Sequence, residues 1–245
     1  MLKLNHLTGF GSGAAAAVAA ADVTSYVLDG TGDYLSIPDH ADWDYGAGDW
    51  TIEFFKYETT VTNDVVHYSQ YKDAANRVHI NNKGGGNRGI SIRIEIADVV
   101  TSFNSNNSVL SDATWHHVAL VHDSSNNYVY IDGVDQTMSD THGSSSWADF
   151  SVQLTIGENN GASYFNGNLD EYRISNVARY PSGTTFTPTS TQFVSDANTL
   201  LLIHGGEAIA SGTTGSGATF VDSGNTGHTV TENGNAIRDI SIYKF

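Results

Sequence analysis

The stretch WHHVALVHDSSNNYVYIDG, from Trp115 to Gly133, restricts what this chain can fold into more than any other segment. β-Branched and aromatic residues fill two runs, Trp115 to Val121 and Tyr128 to Ile131, separated by the turn formers Asp123 to Asn127 and followed by Asp132-Gly133. That pattern predicts a β-hairpin with a second tight turn after it. Similar short runs recur at the spacing of a β-sandwich. They are Tyr26 to Leu28, Tyr34 to Ile37, Trp50 to Tyr57, Val65 to Ser69, Arg77 to Ile80, Ile90 to Ile96, Val99 to Phe103, Val152 to Ile156, Asn168 to Ile174, Thr199 to Ile203, Ala218 to Val221 and Ile240 to Phe245. In Ile90 to Ile96 the alternation is strict, with four Ile on one face and Ser91, Arg93 and Glu95 on the other. One face of that strand is therefore dry and the other wet, as an antiparallel sheet allows.

Composition narrows the function classes. The chain has 245 residues and no Cys, so disulfides, thiolate metal sites and cysteine nucleophiles are excluded. Eleven basic against 27 acidic residues give a formal charge of -16. Such a surface repels phosphate backbones, which disfavours nucleic acid and anionic membrane as direct partners. No segment approaches the ~20 apolar residues of a membrane span. The first 24 residues, rich in Gly and Ala, differ from the rest, and the polar residues Asn5, His6 and Thr8 interrupt any signal-peptide core. They read as a short irregular N-terminal arm, residues 1 to 24, ahead of one domain over residues 25 to 245. Leu2, Leu4, Leu7 and Phe10 are the apolar contacts expected to make it an assembly anchor, and their spacing also fits a strand or helix docked within the same chain.

The hairpin resembles the central hairpin of laminin-G-like domains, which are jelly-roll sandwiches of the concanavalin-A-like type. Leu28 to Phe55, with its Gly-Asp-Tyr-Leu and Thr-Ile-Glu-Phe runs, is similar to the opening strands of that family. Leu154 to Tyr180, carrying Phe-x-Gly-x-Leu-Asp-Glu-x-Arg-Ile-Ser, is similar to its closing strand. The resemblance implies an all-β, antiparallel jelly-roll sandwich. Asn198 to Glu207 resembles the family's last strand, whereas Phe220 to Ala236 resembles the segment that usually precedes its first. The strand order therefore reads as circularly permuted, with residues 206 to 245 closing the sheets.

The resemblance also implies sites. Calcium is held in such sandwiches by carboxylates and loop carbonyls, and Asp33 and Asp170 are the matching positions for a shared Ca²⁺. For glycans, the aromatics in turn-rich stretches are Trp43, Tyr45, Trp147 and Tyr164, expected to stand exposed beside Asn and Asp. Catalysis is not expected. Related glycosidases need two carboxylates about 5 to 9.5 Å apart, and no Glu-x-Asp-x-x-Glu string occurs. His116 and His117 project to opposite faces of a strand and cannot chelate one metal. A Leu-Thr-Gly-Phe-Gly leader before one laminin-G-like domain resembles bacteriophage virion components. That implies a capsid decoration or fibre protein on a virion surface, self-associating and bound to other virion proteins, with host glycans as a further partner. The alternative is a free-standing secreted lectin or adhesin module.

Overall fold

The computed structural model describes residues 24–123, 126–136, 147–181, 185–205 and 220–245. The expected anchor, Leu2, Leu4, Leu7 and Phe10, lies outside them. Fifteen strands are formed, β1 Ser25–Asp29, β2 Tyr34–Ile37, β3 Trp50–Glu58, β4 Val66–Asp73, β5 Asn76–Asn82, β6 Ile90–Ile96, β7 Val99–Asn104, β8 Thr114–Asp123, β9 Asn126–Ile131, β10 Val134–Asp135, β11 Leu154–Ile156, β12 Asn166–Ser175, β13 Thr199–Ile203, β14 Thr231–Asn233 and β15 Ile237–Asp239. Among the described residues the helical content is a single 3₁₀ turn at Ala41–Trp43. Among the described residues no helix is long and apolar enough to cross a membrane.

The strands form two antiparallel sheets. The first runs β10-β9-β8-β3-β12-β1-β15, with β13 also paired to β12, and the second runs β14-β2-β11-β4-β5-β6-β7. Alternation along each strand turns one set of side chains inward. Leu28, Ile52, Phe54, Val118, Leu120, Leu169 and Ile174 from the first sheet meet Leu35, Ile37, Tyr68, Val78, Ile80, Ile92 and Leu154 from the second in one continuous core. This is the sandwich that the sequence pattern implies.

Two local features follow from turn chemistry. Asp132 (φ 53°) and Gly133 (φ 76°) both adopt positive φ between β9 and β10. That is the primed turn whose twist matches its strands, and an Asp-Gly pair makes it accessible. The far end of the sequence takes part in both sheets, since β14 pairs with β2 through Thr231↔Ser36 and β15 pairs with β1 through Tyr26↔Arg238. Two strands expected in this region are not formed among the described residues. Phe220 and Val221 contribute only an isolated bridge, Val221↔Thr229. Ile240 to Phe245 is not extended pairing either, because the Asp239 carboxylate accepts the amides of Ser241 and Ile242 and turns the chain away after β15.

Candidate functional site

The two sheets differ in what lies on their outer faces. The outer face of the first is covered by the segment after β12. Phe193 packs on Phe55 and Leu202, while Tyr180 and Phe186 pack on Ala119, Val121 and Tyr130. Beneath this cover lies a buried ionic network. Glu53 accepts hydrogen bonds from Arg173 (2.6 and 2.8 Å) and Tyr180 (2.8 Å), with His117 Nε2 at 3.1 Å and Arg179 Nε at 3.9 Å. Burial alone would raise the Glu53 carboxyl, but His117 and Arg173 outweigh it and hold it below the ordinary carboxylate range.

The outer face of the second sheet has no aromatic cover of this kind among the described residues, although at its middle Ser69 and Thr155 are buried and bonded to Asn159 and to the Glu158 carbonyl. Val78 and Ile80 are buried, so Arg77, His79 and Asn81 face outward, as do Ser91, Arg93 and Glu95 on β6. Successive registers then align one row across all seven strands, Thr231, Ser36, Thr155, Ser69, His79, Arg93 and Ser102. At about 4.8 Å per strand the row is roughly 29 Å long. Every member carries a hydroxyl, an imidazole or a guanidinium.

Neighbouring groups are held in place. Glu95 Oε2 accepts from Arg77 Nε (2.8 Å) and Arg93 Nη2 (3.0 Å), and the Arg77 guanidinium lies 5.7 Å from the centre of the Tyr71 ring. Ser69 donates to Asn159 at 2.9 Å, and Glu158 accepts the Gly161 amide at 2.6 Å. Tyr71, Gln153, Thr155, Glu158 and Asn160 line a recess of about 100 Å³ beside the row. Burial, then the charges of Arg77 and Arg93, bring the His79 imidazole down to about 4. His79 is therefore neutral near pH 7, able to donate from one ring nitrogen and accept at the other. An NMR titration of the histidine rings is expected to show His79 unchanged from pH 8 to pH 5.5, with protonation centred near 4.

The residues expected from sequence fall elsewhere, with one exception. Trp43 and Trp147 are 1% exposed and Tyr45 is 8% exposed. They are core rings, not sugar platforms. Trp147 lies 4.5 Å from Trp50 and 5.1 Å from Tyr45, and the 3₁₀ turn tucks Trp43 inward with its Nε1 donating to Pro38 O. Tyr164 is half-buried and lies 6.4 Å from Tyr34, an outward residue of β2 that the sequence reading missed. Because β2 and β4 both run antiparallel to β11, Tyr34 and Tyr71 flank the polar row on opposite sides. Asp33 and Asp170 do not meet. The register Asp29↔Asn166 puts four residues of strand, roughly 13 Å, between their ends of β12. Asp33 accepts the amides of Asp29 and Asn235, and Asp170 those of Glu171 and Gly205. The shared-calcium arrangement is thus corrected: the carboxylates anchor backbone at two separate places.

Comparison with known proteins agrees with this architecture. A protein from Bacteroides ovatus proposed to bind carbohydrate superposes with a TM-score of 0.56 at 14% identity, over 88% of this chain. The chain spans 60% of that protein's length. Domain 4 of AbnA, an extracellular arabinanase of Geobacillus stearothermophilus solved with arabinotriose, gives 0.49 at 16% identity, over 63% of this chain and 71% of that one. Domains LG4-5 of the mouse laminin α1 chain give 0.44 at 12% identity, over 68% of this chain and 47% of that one. At 14% identity the likeness to the Bacteroides ovatus protein is one of fold. Among curated proteins no sequence relative matches. The family described as the Concanavalin A-like lectin/glucanases superfamily, in its laminin-G form, matches residues 29–182, which take in β2 to β12 and the hairpin of Trp115 to Gly133. With the match spanning more than half of the chain and the two-sheet sandwich it requires in place, this protein belongs to that superfamily as a laminin-G-like domain.

Proposed function

We propose that this chain is a non-enzymatic carbohydrate-binding module whose glycan lies across the outer face of the second sheet. The observation that carries this reading is the seven-strand polar row from Thr231 to Ser102, flanked by Tyr34 and Tyr71. Sugars present alternating hydroxyls and apolar ring faces. A site for them combines fixed donors and acceptors with an aromatic surface, and the Arg77–Glu95–Arg93 system supplies donors already oriented. Chemistry at this face is disfavoured. Burial pushes Glu95 up, yet the hydrogen bonds from Arg77 and Arg93 outweigh it and keep its pKa below the ordinary value, which is opposite to what a general acid requires. The likeness to a Bacteroides ovatus protein proposed to bind carbohydrate, although one of fold, points the same way. Display on a virion surface rests on the leader's resemblance alone, which lies outside the described residues.

The test is a glycan array probed with the full chain, followed by calorimetry on any hit. Tyr71→Ala and Arg93→Ala are each expected to weaken binding by more than about 1 kcal/mol, roughly fivefold or more, with the circular dichroism spectrum unchanged. Trp43→Phe, in the core, is expected to leave affinity intact. A glycan whose affinity ignores the Tyr71 and Arg93 changes would move the site off this face, and an array without hits would remove the proposal.

A further inference from the structure

Outside the polar face, one group of side chains comes together from opposite ends of the sequence. His40 and Asp42 follow β2, His228 precedes β14, and their ligand-type atoms all lie within 4.8 Å of one another. We propose that this trio is a binding site for a divalent transition-metal ion of the Zn²⁺, Cu²⁺, Ni²⁺ and Co²⁺ class, which fastens β14 to β2. The donor set of two imidazoles and one carboxylate suits these borderline ions. Ca²⁺, which prefers six or more oxygens, is not served by it. Three protein ligands leave at least one position for water.

The existing contacts form a frame that such an ion can enter. His228 Nε2 lies 2.9 Å from Asp42 Oδ2, so an ion replaces the proton these two atoms share. The carboxylate also accepts Thr226 Oγ1 at 2.7 Å, which fixes its plane. His228 is held between the Trp43 ring, 4.6 Å away, and the His40 ring, 4.8 Å away, and its own amide donates to Asp222. His40 is the adjustable member. Its side chain is 45% exposed and its Nδ1 accepts the Asp42 amide at 3.1 Å. Tetrahedral coordination with ~2 Å bonds needs ligand atoms roughly 3.3 Å apart, so the trio must contract by a rotation of the exposed His40 ring.

The placement gives the ion a structural role. β14 is an edge strand of three residues joined to the sheet only through β2. The proposed ligands stand immediately outside this pairing, two beyond the end of β2 and one ahead of β14. A bound ion closes the loop at the point where the short ladder would otherwise fray.

The experiment uses the full chain freed of metal by chelator and dialysis, titrated with Zn²⁺ by calorimetry. One ion per chain with a Kd of about 10 µM or tighter is expected, together with a higher melting temperature and slower amide exchange at Thr231 to Asn233. Cu²⁺ should quench tryptophan fluorescence through Trp43, and Ca²⁺ should do neither. Even second-shell losses lower metal affinity by about 10–100-fold, so His40→Ala and His228→Ala are each expected to cost at least tenfold. Because His40 also caps the 3₁₀ turn, His40→Asn, whose side chain can still accept the Asp42 amide but is a poor ligand for these ions, is the variant expected to keep the fold while losing the same affinity. Absence of Zn²⁺ binding by the wild type would overturn the site. So would Zn²⁺ binding and Cu²⁺ quenching that persist unchanged in His40→Ala, because another group would then hold the ion. Neither readout involves glycan, so this inference stands or falls separately from the carbohydrate-binding proposal.

Discussion

Glu53→Ala is expected to destabilise the protein by about 3–5 kcal/mol, because removing one member of a buried ion pair leaves the other charge uncompensated. Glu53 is fully buried and is the common partner of Arg173, His117 and Tyr180. Its loss leaves Arg173, itself 6% exposed, facing the Phe193 ring at 3.8 Å without a carboxylate. Urea unfolding should show the loss as a lower midpoint with little change in slope. A change below 1 kcal/mol would mean that solvent reaches the network. The same group sets an acid limit. Its folded-state pKa is depressed, so the stability it contributes is present above the ordinary carboxylate value of about 4.3 and is lost as pH falls through that value and below. Wild-type melting temperature should therefore drop on acidification below pH 4.5, and Glu53→Gln should flatten that part of the curve.

Trp147→Ala is expected to cost about 3–5 kcal/mol through lost burial and the cavity left behind. The ring lies within 6 Å of Tyr45, Trp50 and Tyr68, and its backbone amide bridges to Gly46 O, so the void opens between several large rings that cannot collapse together. Thermal unfolding measures it directly. If Trp147 were a sugar platform instead, the variant would melt normally and lose glycan. With total stability commonly 5–15 kcal/mol, this variant and Glu53→Ala combined should fail to fold at 37 °C.

The sandwich was legible because its strands advertise themselves locally. The alternation of Ile90 to Ile96 assigns a wet and a dry face without any knowledge of neighbours, and Asp132-Gly133 names its own turn. The aromatics were misjudged for a physical reason. A Trp in a Gly- and Asp-rich stretch has the same sequence environment whether its loop lies outward or folds under the sheet end. Only the 3₁₀ turn at Ala41–Trp43, capped by His40, decides that Trp43 points inward. The polar row was invisible for another reason. Thr231, Ser36, Thr155, Ser69, His79, Arg93 and Ser102 are scattered and individually ordinary, and register, which brings them into line, is not encoded by any one of them. The His40, Asp42 and His228 grouping depends in the same way on the β2–β14 pairing, across 186 residues between Asp42 and His228.

The pairing of β14 with β2 and of β15 with β1 also bears on how the molecule is made. Ser25 Oγ donates to Ile242 O across 217 positions of sequence, and each sheet receives a three-residue border strip from residues 231 to 239. While a ribosome is still extending the chain through β13, β1 and β2 are already in place with a ladder of amides and carbonyls open on one side. Contacts of such long sequence separation form late, since loop closure must precede them. Until they are paired, β1 and β2 each present an open edge, the kind of surface on which strands of separate chains join. Residues 231 to 239 close both edges when they pair with β1 and β2.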